Sequence, residues 1–372
     1  MAIKRIFLAI RNRIALVGVR KFGVGSPLLK SLSYVPVHIN ELVSWEPDVI
    51  QSHDLSTLPL AIKAVKRIEK KRDFKLEQGQ KKAAKVPVIF DSHELETHRN
   101  PPLSNSARRQ VERLERRYLP QCDFVTTVSK PLEAYIREHY NVTKTDLIYN
   151  SPERNPAPVH PRWDRRKGLS VRRDCGVRQR DFLFVSVGLI TVNRGLEMAL
   201  EAMALLPTDI HYAVIGPKNK NTVKELLDLA REKGLSERFH LLDPVNPTDV
   251  YRYLASADAA ILPGLPATLS YEFSLPNKFF ECSFANLPLI ASDLPDVKRL
   301  IEKYNLGVTY DAFDVHDCAK QILDVYNNRQ KYKRTAEQTD AFITKFSWEA
   351  QAQKLSAIVK SVLPEETNID PT

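Results

Sequence analysis

Apolar residues along this chain recur with two periods. Short runs rich in β-branched and aromatic residues alternate with longer stretches in which apolar positions return every three or four residues. The short runs predict strands and the longer stretches helices. In the second half, strands are expected at Phe182–Val187, Tyr212–Ile215, Phe239–Leu242, Ala259–Leu262, Leu289–Ser292 and Val308–Tyr310. Helices are expected between and after them, at Gly195–Leu206, Thr222–Lys233, Pro247–Ser256, Asn277–Phe284, Asp296–Lys303 and Val315–Asn327. Such alternation predicts an α/β fold with a parallel, doubly wound sheet, because parallel neighbours need a crossover between them. The first half repeats the pattern with strands at Asp48–Ser52, Val86–Phe90, Phe124–Val128 and Asp146–Tyr149, and helices around Leu58–Lys70, Ser106–Tyr118 and Pro131–Glu138. Between the halves, Ser151–Arg166 holds four prolines and little periodicity, as a linker does. The expected organisation is a segment over 1–45, a partial domain over 46–150, a linker over 151–166, a second domain over 167–345, and a C-terminal helix and tail over 346–372. Two Rossmann-like domains joined in this way face a cleft, and ligands bind at the strand carboxyl ends that line it.

The first 45 residues break the alternation. Ile3, Ile6, Phe7, Ile10, Ile14 and Val17 recur at helical spacing, Lys4, Arg5, Arg11, Arg13, Arg20 and Lys21 lie among them, and no acid precedes Glu41. The pattern predicts a basic amphipathic helix, suited either to an anionic lipid surface or to packing on a sheet face. Its composition overlaps with that of mitochondrial transit peptides, whereas a secretory signal would not carry arginines through its apolar core.

Charge strengthens the case for an anionic partner. The chain of 372 residues carries a net charge of +10; residues 1–150 hold 26 basic and 16 acidic residues, and the remainder holds 29 of each. The whole excess sits in residues 1–150, which points to a membrane surface or a nucleic acid, or to no more than a soluble basic face. The basic clusters at Lys63–Lys85 and Arg108–Arg117 lack a pattern of interleaved aromatics, so nucleic acid is not the expected partner. No apolar run approaches the roughly 20 residues of a membrane-spanning helix. The four cysteines, Cys122, Cys175, Cys282 and Cys318, form no C-x-x-C pair, so neither a zinc site nor a disulfide framework is expected, and a reducing, cytoplasmic setting fits.

Several motifs carry chemistry. In the first half they are Pro47-Asp-Val-Ile-Gln-Ser-His-Asp54 and Val86-Pro-Val-Ile-Phe-Asp-Ser-His-Glu94. The second half has Val187-Gly-Leu-Ile-Thr-Val-Asn-Arg-Gly-Leu196, Ser256-Ala-Asp258, Leu275-Pro-Asn-Lys-Phe-Phe-Glu281, Asn286-Leu-Pro-Leu-Ile-Ala-Ser-Asp293 and Phe346-Ser-Trp348. In order and spacing, from about residue 45 to Trp348, they resemble the family 4 glycosyltransferases. The resemblance implies a GT-B fold of two facing Rossmann-like domains, the second binding a nucleotide sugar and the first the acceptor. It also implies sugar transfer with retention of anomeric configuration, with no metal and no cofactor beyond the donor substrate. No carboxylate–His–Cys ligand cluster is visible in the sequence, in agreement.

Each matched position has its own physical rationale. A departing nucleoside diphosphate gains negative charge, and donors aimed at its phosphates stabilise that state. Arg194 precedes Gly195 at an expected helix start, where free N–H groups also favour anions; it stands where the family has a phosphate-binding lysine, though a solvated arginine at a helix end would look the same. Lys278 and Glu281 share a helix face. The resemblance gives Glu281 the ribose hydroxyls and Lys278 the pyrophosphate, with the Asn277 amide adding to the cradle, while a plain salt pair is the alternative. His93, at the carboxyl end of an expected strand, matches a family histidine beside the donor sugar, although a lone histidine is often only a surface residue. His53, Asp54 and Glu94 are acceptor-side candidates, and Ser129, Asn150 and Gly188 line the expected cleft.

The chain also departs from the family. Phe273 stands where an acid is common, with Glu272 one residue away, and Leu189 replaces an arginine after Gly188. The region before Pro47 lacks the family's opening strand and glycine-rich loop, so the first domain is expected to be incomplete: a natural short form, a truncated one, or one completed by a partner protein. The leading reading is a glycosyltransferase at the inner face of a membrane, acting on a lipid-linked or polysaccharide acceptor. The competing reading is a catalytically silent GT-B-like subunit that docks a partner enzyme at the membrane.

Overall fold

A computed structural model of the chain describes residues 39–77, 85–154 and 168–363, together with 14–17, for which only the backbone is considered. The chain divides into two compact units: residues 1–148 with 351–372, and residues 149–350.

The first unit is built on a parallel sheet of five strands in the order β1-β2-β3-β4-β5: β1 (Ile14–Val17), β2 (Val49–His53), β3 (Val88–Ser92), β4 (Phe124–Thr127) and β5 (Thr145–Leu147). The order never reverses, and right-handed connections taken in one direction set the covering helices on one face. Helices Leu58–Glu77 and Asn105–Tyr118 do pack against each other there. Strands β2 and β3 are buried on both faces, and their apolar positions Val49, Ile50, Val88, Ile89 and Phe90 form the centre of this core.

Strand β1 corrects the expectation of a helix through Ile14 and Val17. Ile14, Ala15, Leu16 and Val17 pair in parallel with Val49, Ile50, Gln51 and Ser52. The run Ile-Ala-Leu-Val satisfies either period, and the exposed edge of β2 offers a ladder that an isolated helix lacks. The first sheet therefore has five strands rather than four. The rest of the expected amphipathic helix, residues 1–13, lies outside the described residues.

The second unit holds a six-stranded parallel sheet in the order β11-β10-β9-β6-β7-β8, from β6 (Phe182–Val187), β7 (Ile210–Ile215), β8 (Phe239–Leu242), β9 (Ala259–Leu262), β10 (Leu289–Ser292) and β11 (Gly307–Tyr310). The six strands expected from the sequence are all present. The winding direction reverses between β6 and β9, so this sheet is doubly wound and opens a crevice at the carboxyl ends of those two strands. Phe182, Phe184, Tyr212, Ile261 and Ile290 fill its core beneath helices Leu196–Met203 and Val315–Tyr332.

The described part of the expected linker is not loose. Ser151 donates to the Phe346 carbonyl, Trp348 N–H donates to the Pro152 carbonyl at 2.9 Å, and Arg154 pairs with Asp340. The expected C-terminal helix is present as Trp348–Val362. From Gln351 onward it belongs to the first unit, where the Lys354 ammonium reaches Asp146 at 2.6 Å and the Leu147 carbonyl at 2.9 Å. The Ser256-Ala-Asp258 element is a structural tie. Asp258 accepts from the Leu183 amide at 2.9 Å and from Arg329 at 3.2 Å, and it pairs with the buried guanidinium of Arg172.

Candidate functional site

In the second unit the candidates collect at the crevice where the winding reverses. β6 ends in Val187 and Gly188, whose φ is +129°. The chain then adds one bridge, Ile190 beside Lys218, and turns through Asn193 (φ +61°) and Gly195 (φ +69°) into helix Leu196–Met203. Only glycine fits at 195, because a Cβ there would stand 2.0 Å from the Pro263 carbonyl oxygen at the end of β9. That close approach brings Arg194 to the switch point. No side chain caps the helix it precedes, nor the helix Asn277–Phe284 that follows β9. The first amides of both helices, those of Asn277 and Lys278 included, therefore have no intrahelical acceptor.

Arg194 lies with its guanidinium carbon 5.5 Å from the ring centroid of Tyr271, and its buried Nε has no hydrogen-bond partner. Lys278 is half-buried; burial, reinforced by the charge of Arg194, pulls its ammonium down to about 8. Glu281, one turn on, is pushed up to about 7 by burial, with Lys278 opposing the shift. Among the described residues, Lys278 and Glu281 form no ion pair with each other, which disfavours the plain salt pair. Two cations held near each other and, among the described residues, without a carboxylate ion pair, beside two uncapped helix starts, suit a polyanion. Asn277 is exposed at the helix start, and Gly188 has open space where a side chain would project. Leu189, 50% exposed, offers no charge at that mouth, and Phe273 directly follows the short helix Leu269–Glu272.

The first-unit candidates collect at the carboxyl ends of β2 and β3, where register places His53 beside Asp91. His53 Nδ1 lies 2.8 Å from Asp91 Oδ2, and His93 Nε2 lies 2.9 Å from the same oxygen. The other carboxylate oxygen accepts from the Thr126 hydroxyl of β4 at 2.7 Å. Burial works to raise the Asp91 carboxyl, yet hydrogen bonds from both imidazoles hold it well below the usual carboxylate range. The same bond to Asp91 raises His93. Each imidazole thus meets the same carboxylate oxygen through one ring nitrogen. Asp54 begins the turn after β2 with φ +62°, its amide donating to the Asp91 carbonyl at 3.2 Å, and Thr57 locks that turn by donating to the His53 carbonyl at 2.6 Å. Glu94 is half-buried; Glu96, two residues on, is pushed up to about 7 by burial and by the charge of Glu94. Ser129 is buried at the start of helix Lys130–Tyr140, and Asn150 is half-buried.

The structure thus gathers Gly188, Arg194, Asn277, Lys278 and Glu281 in the second unit, and His53, Asp54, His93 and Glu94 in the first. Three participants were not singled out from the sequence: Asp91, Thr126 and Tyr271. For Asp91 a signal existed, since a carboxylate inside the apolar run of β3 must find buried partners.

Comparison with known proteins agrees in both units. Residues 7–151 match the model described as Glycosyltransferase Family 4, and residues 170–342 match that described as Glycosyl transferases group 1. D-inositol 3-phosphate glycosyltransferase of Corynebacterium kroppenstedtii is 22% identical over 290 residues, which is 75% of this chain and 63% of that protein. Glycogen synthase of Mycobacterium tuberculosis is 22% identical over 315 residues, covering 83% of this chain and 67% of that one. The chain thus spans just under two thirds of the first of these relatives. Among solved structures, sucrose-phosphate synthase of Thermosynechococcus elongatus superposes with a TM-score of 0.70 at 16% identity, covering 93% of this chain and 81% of that one. HepE of Anabaena in complex with UDP-glucose superposes with a TM-score of 0.68 at 15% identity, covering 95% and 100%. At such identities the structural likeness concerns the fold, two parallel-sheet α/β domains of the GT-B kind.

Proposed function

Because the chain belongs to the family 4 glycosyltransferases, we propose that it transfers a sugar from a nucleoside diphosphate donor, with retention of configuration, to a lipid-linked or polysaccharide acceptor. The observation that carries the donor half of this reading is the pair Arg194 and Lys278, cations that form no carboxylate ion pair among the described residues, at the switch point of the second sheet. As the bond to the sugar breaks, charge builds on the diphosphate. Arg194, Lys278 and the free amides at Asn277–Lys278 are placed to take it up, so charge neutralisation is assigned to the chain itself and not to a metal. Glu281 suits the ribose hydroxyls, as a carboxylate accepting two hydrogen bonds. His93, oriented by Asp91, is assigned to the sugar, and His53, Asp54 and Glu94 to the acceptor.

The membrane half of the proposal rests on charge. Lys63, Lys66, Arg67, Lys70 and Lys71 on one helix, and Arg108, Arg109, Arg113, Arg116 and Arg117 on the helix packed beside it, are all exposed. Each lysine or arginine near an anionic leaflet contributes about 1 kcal/mol, enough for peripheral attachment at a cytoplasmic membrane face. No helix among the described residues is long and apolar enough to cross a membrane.

Titration with UDP and GDP tests the reading: one of them binds, and the Arg194→Ala variant loses more affinity for the nucleoside diphosphate than for the nucleoside. Absence of binding by either nucleotide overturns it. One observation favours the second reading, a catalytically silent subunit: exposed Leu189 supplies no phosphate contact where the family has an arginine. Donor hydrolysis or transfer by the isolated chain separates the two.

A further inference from the structure

We propose that His53 Nδ1, Asp91 Oδ2 and His93 Nε2 form a binding site for a divalent cation of the zinc class. These three atoms lie within 4.8 Å of one another, the carboxylate oxygen standing 2.8 and 2.9 Å from the two nitrogens. Two imidazoles and a carboxylate are a donor set that suits Zn²⁺ and its neighbours rather than Mg²⁺ or Ca²⁺, which take oxygen ligands. Bonds of about 2.0–2.2 Å set tetrahedral ligands about 3.3 Å apart. The two short separations must therefore open by roughly half an ångström, while the imidazole nitrogens converge on the ion. The rings have that freedom, their side chains being 26% and 35% exposed, whereas the Asp91 side chain is fixed at 10%.

Two further features support the site. The second Asp91 oxygen is held by the Thr126 hydroxyl at 2.7 Å, the outer-shell hydrogen bond that orients a ligating carboxylate. Asp54 and Glu94 lie within electrostatic reach of His93 and add negative potential for an incoming cation. Binding requires both imidazoles to shed the protons on the nitrogens that face Asp91, so affinity rises with pH. The binding claim depends on these three residues alone.

The test uses the full chain, freed of metal with a chelator, and zinc chloride as the probe without nucleotide. Calorimetry is expected to give one saturable zinc per chain, with affinity falling at least tenfold in His53→Gln and in His93→Gln. Both side chains are partly exposed, so melting curves should confirm that these variants remain folded. Substituting cobalt(II) for zinc is expected to give a visible absorption band that both variants lose. No saturable binding, or binding unchanged in either variant, overturns the proposal, the latter placing the ion elsewhere, for instance on one of the four free cysteines. UDP and GDP titration of the same samples separates the outcomes, because loss of nucleotide binding strikes the transferase reading and leaves the zinc result standing.

Discussion

Lys278→Met should stabilise the ligand-free protein while it cripples nucleotide binding. In the second unit the Lys278 ammonium is held at about 8, against 10.5 for a free lysine, by burial and by the charge of Arg194. A base whose folded value is depressed contributes a penalty that grows as pH falls from the unfolded to the folded value and is complete below the latter. At pH 7 the full cost applies, about 3 kcal/mol at 1.36 kcal/mol per pH unit. Removing the charge recovers that cost but also removes the one cation that eases the buried Glu281. A net gain of about 1–2 kcal/mol is therefore expected, or roughly 2–8 °C in the melting midpoint for a unit of this size. Against this gain, the variant loses a charge-assisted contact to phosphate, about 1.5–3 kcal/mol, which weakens UDP or GDP by about tenfold to 150-fold. Differential scanning calorimetry with and without nucleotide reads both effects on one sample. A lower midpoint without ligand combined with unchanged affinity would refute the account, since it would make Lys278 a structural cation.

The remaining predictions follow from the same geometry. Binding of UDP or GDP should be tightest between about pH 7 and pH 8, because Glu281 must ionise near 7 to accept the ribose hydroxyls and Lys278 discharges near 8. Glu281→Gln should flatten the acid limb beyond the nucleotide's own titration, and an unaltered limb removes Glu281 from the site. Asp258→Ala should cost about 3–5 kcal/mol in urea unfolding, because it strips the counter-charge from a guanidinium whose side chain is only 6% exposed; a loss below about 1 kcal/mol contradicts the tie. Liposomes containing anionic lipid should sediment the protein in a salt-sensitive way that neutral ones do not, and substituting alanine for Arg108, Arg109 and Arg113 should reduce that binding. Equal binding to both vesicle types rules electrostatic docking out.

Periodicity made most of the second unit legible: all six strands are expected within two residues of their observed bounds, because parallel strands buried on both faces read as unbroken apolar runs. Where the sequence misled, two periods fitted the same residues. Ile14–Val17 continues a helical stripe and is also a four-residue apolar strand, and only the ladder to β2 decides between them. Helix Trp348–Val362 falls within the expected C-terminal helix and tail, but its membership of the first unit from Gln351 onward, where Lys354 meets Asp146, joins residues 208 apart that no local pattern links.

The candidate sites divide along the same line. Arg194, Lys278 and Glu281 were recognisable because each stands in a short motif whose backbone requirement is local, such as the glycine at 195 that admits the chain beside Pro263. The His53, Asp91 and His93 cluster was not, since its members come from two strands and it assembles only when β2 and β3 pair in register. From the sequence His53 and His93 were separate candidates with separate duties. A single carboxylate oxygen, 2.8 Å from one ring and 2.9 Å from the other, makes them one unit. Any change that reorients Asp91, whether loss of the Thr126 hydroxyl or capture of a cation, must therefore act on both imidazoles together.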